Sequence, residues 1–198
     1  MKTIVLASQS PRRKKLLSLL YQDFICHPAD IDENLPYDGN PDAYCRNLAL
    51  LKAKEVATEY NDSLVIGSDT IVVFKNKSLG KPENAKDAER ILGLLSGNTH
   101  SVFTGVALIY GSMEISFSVE TEVVFHDLSE IEIKAYVATG SPMDKAGAYG
   151  IQDDWGAVFV KKIIGDYYNV VGFPIQAYYK MVQDHFPSFS PEPQNQLH

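Results

Sequence analysis

The sequence predicts an α/β chain, and three stretches carry that prediction. Thr3-Ile4-Val5-Leu6-Ala7 is a short apolar run with β-branched residues, which reads as a buried strand feeding through a serine-bearing loop into a basic helix. Leu64 to Phe74 is a second, near-continuous apolar strand. Thr99 to Tyr110 and Ile115 to Phe125 alternate apolar and polar residues on either side of Gly111-Ser112, the pattern of two long antiparallel strands. The chain has 198 residues, 45% of them hydrophobic and 22% charged, so one domain around a substantial core is expected.

The first helix is expected over Pro11 to Leu20. Ser10 is a good N-cap, and Pro11 stands where a missing N–H costs nothing. Arg12, Arg13, Lys14 and Lys15 fill its opening turns, where they add to the partial positive charge of the helix start. An anion would relieve that charge, and free N–H groups, two serine hydroxyls and arginine forks suit a phosphate. Asp23 to Pro28 reads as another strand. The turn-rich loop from Asp30 to Asn40 carries Asp30, Asp32, Glu33 and Asp38, and is either a solvated loop or a platform for a divalent metal. Asn40 caps and Pro41 opens a long helix to about Tyr60. Lys52 and Lys54 lie two residues apart on it and point to different faces, so at most one reaches a given ligand.

The strand from Leu64 to Phe74 is interrupted by Gly67-Ser68-Asp69-Thr70, which marks a bulge or a place where the sheet meets a ligand. A buried, unpaired Asp69 would be expensive, so it needs a metal, a cation or a hydrogen-bonded network. Gly80-Lys81-Pro82 is a tight turn presenting one lysine, and Asn84 caps a helix to about Leu95. His100 reads as a structural histidine. Ser129 and Glu132 form a capping-box signature for a helix to Ala138. Pro142 to Gln152 is a loop of small residues with an acid, a base and an amide. Ala157 to Ile164 reads as a strand, Gly165 to Pro174 leads into the last helix, and Ser188 to His198 reads as a disordered tail.

A net charge of −7 disfavours a nucleic-acid grip, whereas one focused cationic pocket suits a small anion. No apolar run approaches the roughly 20 residues of a membrane span. Cys26 and Cys45 lack metal-type spacing and fit small apolar residues in a reducing, cytoplasmic setting. Neither G-x-x-x-x-G-K-[ST] nor G-x-G-x-x-G is present, and no Cys/His cluster suggests zinc. Arg12, Arg13 and Lys81 with the serine loop could hold a polyphosphate. Glu33 and Asp69 are hard oxygen ligands for Mg²⁺ or Mn²⁺, which bind best when substrate phosphates complete the shell. The residues alone thus point to metal-assisted hydrolysis of a small nucleotide, without fixing the bond broken or the base read.

Five motifs add a resemblance. Ala-Ser-Gln-Ser-Pro-Arg-Arg at 7–13, Gly-Ser-Asp-Thr at 67–70, Gly-Lys-Pro at 80–82, Asp-Lys-Ala-Gly-Ala-Tyr-Gly-Ile-Gln at 144–152 and Gly-Asp-Tyr-Tyr-Asn-Val-Val-Gly at 165–172 run in the order found in the Maf family, which the chain resembles over about residues 1–185. The resemblance implies a mixed sheet with flanking helices, in a two-lobed fold similar to inosine triphosphate pyrophosphatase with a central cleft. It implies a single catalytic domain over 1–187 with a tail over 188–198, and a nucleoside triphosphate cut between its α and β phosphates. Carried over by motif, Asp69 is the general base and a metal-site residue, and Glu33 is a second metal ligand. Arg12, Thr70 and Gln152 take substrate-specificity positions, and Ser8, Arg13, Lys52 and Lys81 match the phosphate-binding set. The cofactor implied is a divalent cation, Mg²⁺ or Mn²⁺, and a homodimer is what the family suggests.

The family also has a branch for 7-methyl-GTP, which has Ser-Asp-Gln where this chain has Ser-Asp-Thr, and Glu where it has Gln152. Thr70 and Gln152 therefore point to the branch acting on dTTP, UTP and modified pyrimidine relatives. An amide can both donate to and accept from a pyrimidine edge, which a carboxylate cannot do. Two positions depart from the family pattern: Asp153 stands where Gly is usual, and Phe173 where Leu is commoner. The family's link with arrest of septum formation supplies an alternative, a regulatory protein acting through a partner.

Overall fold

The computed structural model describes residues 2–33, 35–152 and 155–192. Among these, seven strands form one mixed sheet with its helices on both faces. The strands are β1 (Thr3–Ala7), β2 (Ile25–Cys26), β3 (Ser63–Phe74), β4 (Lys77–Leu79), β5 (Thr99–Tyr110), β6 (Met113–Phe125) and β7 (Val160–Ile164). The main path runs β2-β1-β3-β5-β6-β7, and β4 pairs with β3 beyond the end of β1. β1 lies parallel to β2 and β3, while β3, β5, β6 and β7 alternate antiparallel. The helices are α1 (Pro11–Leu17), α2 (Pro41–Ala57), α3 (Ala85–Leu95), α4 (Glu130–Ala138), α5 (Tyr167–Val171) and α6 (Ile175–His185). None of them is long and apolar enough to cross a membrane.

Most helix starts follow the capping chemistry of the sequence. The side chains of Asn40, Asn84 and Ser129 accept from the N–H groups of Ala43, Asp87 and Glu132, and Glu132 completes the capping box. The first helix differs from expectation. It ends at Leu17 instead of Leu20, so Lys14 and Lys15 fall in its last turn, where positive charge is favourable. Only Arg12 and Arg13 therefore remain at the helix start, where an anion would relieve their charge.

Other boundaries move as well, and two short elements are added. β2 keeps only two residues of the strand expected over 23–28. β4 and α5, of three and five residues, were not foreseen. Residues 157–159 belong to a 3₁₀ turn, Trp155–Phe159, before β7 begins. Ser188 and Phe189, assigned to the tail, close a second such turn in which Phe189 is buried against α6, so the apolar core reaches past residue 187. The rest of that tail from 193 onward, and Asp153, lie outside the described residues. Cys45 is buried as expected, whereas Cys26 is exposed on edge strand β2. Phe173 is fully buried, with its ring 5.1 Å from that of Tyr178, so the site accepts the larger side chain without exposing it.

Alternation along β3 sorts the core. Val65 packs with Ala49, Ala53 and Val56 of α2 on one face. Leu64 and Ile66 on the other face join α1 and α6. Val72 and Phe74, farther along that same face, join α3, α4 and Phe159. Two apolar lobes thus share one face of the sheet, and the polar pair Thr70 and Thr104 falls between them.

Candidate active site

Strand pairing explains why polar residues interrupt β3. On one edge β1 pairs with Ser63 through Gly67, and β4 pairs with Val72 through Phe74. Ser68 to Ile71 have β5 on their other side and neither strand on this one. The register with β5 is unbroken, so the motif is no bulge; it is the point where one sheet edge opens. A cleft of about 830 Å³ fills that opening, within the size range of small-molecule sites. All nine residues singled out in the sequence line it: Ser8, Arg12, Arg13, Glu33, Lys52, Asp69, Thr70, Lys81 and Gln152.

Asp69 and Thr70 are neighbours and so project to opposite faces of the strand. Asp69 faces α2, which lies unusually close to the sheet. A Cβ on Gly67 would fall 2.0 Å from the Ala49 carbonyl oxygen, and one on Gly105 would fall 2.2 Å from that of Cys45. Those two glycines let the helix backbone settle against β3 and β5. Lys52 is thereby buried, and its ammonium donates to Asp69 Oδ1 at 2.7 Å and to Glu33 Oε1 at 2.9 Å. Lys54 points elsewhere and pairs with Glu114, as the two-residue spacing requires. Burial alone would raise the Glu33 pKa, but the hydrogen bond and charge of Lys52, with Lys81 and Arg13 adding theirs, bring it below the ordinary carboxylate value.

Thr70 faces the other way, toward Arg13. The Arg13 guanidinium donates through Nε to the Gly172 carbonyl (3.1 Å), through Nη1 to Ser8 Oγ (3.3 Å) and through Nη2 to Thr70 Oγ1 (3.0 Å). Burial disfavours its charge and Asp69 offsets part of that cost. Arginine has five N–H donors, so the fork stays aimed by three protein acceptors with capacity left for a ligand. Behind Thr70, Thr104 Oγ1 donates to the Asn169 carbonyl, and Asn169 Nδ2 donates to Val102 O and Thr121 Oγ1. This buried network ties α5, and the Gly172 carbonyl at its end, to the sheet.

Arg12 spans the mouth of the cleft and donates to Asp144 Oδ2 at 2.9 Å, while Lys145 holds the other carboxylate oxygen at 2.7 Å. The Asp144 pKa is lowered: burial pushes it up, but its bonds to Lys145 and Arg12 outweigh that. Lys81 is exposed at the rim, on the turn after β4. Gln152 ends the 142–152 loop, and its Oε1 is buried with no hydrogen-bond partner among the described residues. Sequence reasoning missed Asp144, Lys145 and Tyr149 as lining residues. The acid and base of the 142–152 loop were visible, but their pairing with a helix over a hundred residues away was not.

Two carboxylates converging on one positive charge are a donor set that fits a divalent ion whose remaining ligands come from substrate phosphates. Among the described residues no group of three or more His, Cys, Asp or Glu could hold an ion by protein side chains alone.

The family described as Maf-like protein matches residues 3–185. A Bacillus cereus (strain ATCC 10987 / NRS 248) protein called dTTP/UTP pyrophosphatase is 48% identical over 175 residues, covering 88% of this chain and 86% of its own length. A Geobacillus (strain WCH70) protein of the same name is 50% identical over 88% of this chain and 94% of its own. Among solved structures, a HAM1 protein from Coxiella burnetii shares the fold with a TM-score of 0.54 at 15% identity, covering 93% of this chain and all of that one.

Proposed function

The chain belongs to the Maf family, and from that premise we propose that it is a nucleoside triphosphate pyrophosphatase acting on dTTP, UTP and modified pyrimidine relatives. Its relatives at 48% and 50% identity carry that activity in their names. The observation that carries the reading is the buried Lys52 ammonium joining Asp69 and Glu33 at the open edge of β3, within a cleft whose other side is cationic. A regulatory protein acting only through a partner would need no such arrangement of acids and cations in a cleft.

In this reading the triphosphate lies along Ser8, Arg13, Lys52 and Lys81. Arg12 exchanges its Asp144 carboxylate for a phosphate oxygen, and Thr70 keeps the Arg13 fork in place. Asp69 takes a proton from the attacking water and is oriented by Lys52. Water adds across the α–β phosphoanhydride: the bridging P–O bond breaks, and a nucleoside monophosphate and pyrophosphate leave. The proton passes from Asp69 to solvent. A divalent cation, Mg²⁺ or Mn²⁺, held by Glu33 and Asp69 would supply positive charge against the phosphates. Gln152 faces the base, where its buried oxygen, unpartnered among the described residues, is available to a pyrimidine edge. The catalytic domain takes in the turn that buries Phe189, two residues past the 187 boundary expected from the sequence, and works in the cytoplasm on free nucleotides and without nucleic acid.

Pyrophosphate release from dTTP, UTP, 5-methyl-UTP, dCTP and 7-methyl-GTP with Mg²⁺ tests this. Release from the thymine and uracil nucleotides with one monophosphate per pyrophosphate, abolished by EDTA and restored by Mg²⁺ or Mn²⁺, is the expected result. Preference for 7-methyl-GTP would overturn the base assignment, and release of orthophosphate would overturn the bond assignment.

A further inference from the structure

The loop that ends at Gln152 has a left-handed backbone at two successive residues, Gly147 (φ 71°) and Ala148 (φ 60°). Ala148 is fully buried and has a Cβ, so this conformation costs energy and persists only where the surroundings over-determine it. Three contacts do so. The Gly147 N–H donates to the Gly80 carbonyl at 3.1 Å, and the Gly150 N–H donates to the Tyr136 hydroxyl at 3.3 Å. Between them, the Tyr149 hydroxyl lies 2.8 Å from His100 Nε2. His100 is 3% exposed, and its Nδ1 has no hydrogen-bond partner among the described residues. Its ring and that of Tyr149 both meet the Phe125 ring edge-on, with centroids 4.9 and 4.8 Å away. The imidazole therefore sits in an aromatic box in which the Tyr149 hydroxyl is its polar contact.

We propose that His100 and Tyr149 are positioning residues for base selection: their hydrogen bond pins the 146–152 loop to β5 and so sets where Gln152 presents its amide. The proposal rests on the reading of Gln152 as the base-facing residue. Among the described residues, neither His100 nor Tyr149 hydrogen-bonds to the cationic groups that would hold the triphosphate. Their loss is therefore felt at the base end and spares the phosphate end.

The test is calorimetric binding of the α,β-imido analogues of dTTP and dCTP, which resist cleavage between the α and β phosphates, and of inorganic tripolyphosphate, which has no base. Tyr149→Phe removes a single oxygen, His100→Phe keeps a ring but no partner, and His100→Gln places an amide where Nε2 stood. The preference for the thymine analogue over the cytosine analogue should fall about five-fold in Tyr149→Phe and His100→Phe, the factor that one hydrogen bond is worth, with tripolyphosphate affinity held within about two-fold. His100→Gln should recover most of the preference. An unchanged preference in Tyr149→Phe overturns the proposal, as does a parallel loss of both analogues and tripolyphosphate, which marks a merely structural role. A wild-type chain that binds the two analogues alike contradicts the base reading of Gln152 as well, so the two failures are distinguishable.

Discussion

At the scale of single residues, the site depends on charges taken out of water together. Lys52 is 7% and Asp69 8% exposed, so each needs the other. Removing one member of such a buried pair typically costs about 3 kcal/mol, because the remaining charge is left uncompensated. Lys52→Met is therefore expected to lower stability by that order in urea denaturation and to remove turnover; unchanged stability would mean that the pair is not formed in solution. His100 gives a pH signature. Burial lowers its pKa from 6.5 to about 4, so the folded chain binds fewer protons than the unfolded one between those values. Its stabilising contribution is complete above about pH 6.5 and is lost as pH falls toward 4, by at most ~3 kcal/mol. Denaturation of wild type at pH 7 and pH 4.5 should show part of this loss, and His100→Gln should show less of it. The need of Asp69 for a partner was legible in the sequence, and so was the rule that only one of Lys52 and Lys54 could serve. The identity of Asp144 as the partner of Arg12 was not, because 132 residues separate them.

At the scale of elements, the caps at Ser10, Asn40, Asn84 and Ser129 were readable, because capping is local chemistry. β4 and α5 escaped notice because such short segments are fixed by their neighbours more than by their own pattern. Gly67, in a stretch whose sequence suggests a bulge or a ligand contact, serves the approach of α2 within an unbroken register. An added methyl there would meet the Ala49 carbonyl and the backbone of Ala53. Gly67→Ala should thus push α2 outward, costing roughly 1–3 kcal/mol as overpacking does, and should carry Lys52 away from Asp69. Its activity should fall by more than its stability predicts. Ser129→Ala, which removes a cap on α4 away from the cleft, should cost about 1 kcal/mol and leave turnover per folded molecule unchanged. Equal effects of the two on turnover would remove the link between helix approach and site.

At the scale of the molecule, the cleft is a product of sheet topology. β1 and β4 approach the same edge of β3 from opposite ends and stop short of one another, leaving Ser68 to Ile71 open between two apolar lobes. The polar interruption in β3 showed that the sheet meets something there. It could not show what borders the gap, since β4 and the 142–152 loop arrive from elsewhere in the chain. Every residue carried over from the family motifs lines this one opening, on both faces of the strand. Asp69→Asn separates a residue that performs chemistry there from one that merely holds the fold. Turnover of dTTP with Mg²⁺ and binding of its non-hydrolysable analogue would be measured on the same folded sample. Pyrophosphate release is expected to fall by at least about a hundred-fold, the usual worth of a positioned base, while analogue binding survives. Pyrophosphate release at the wild-type rate would contradict a chemical role for Asp69.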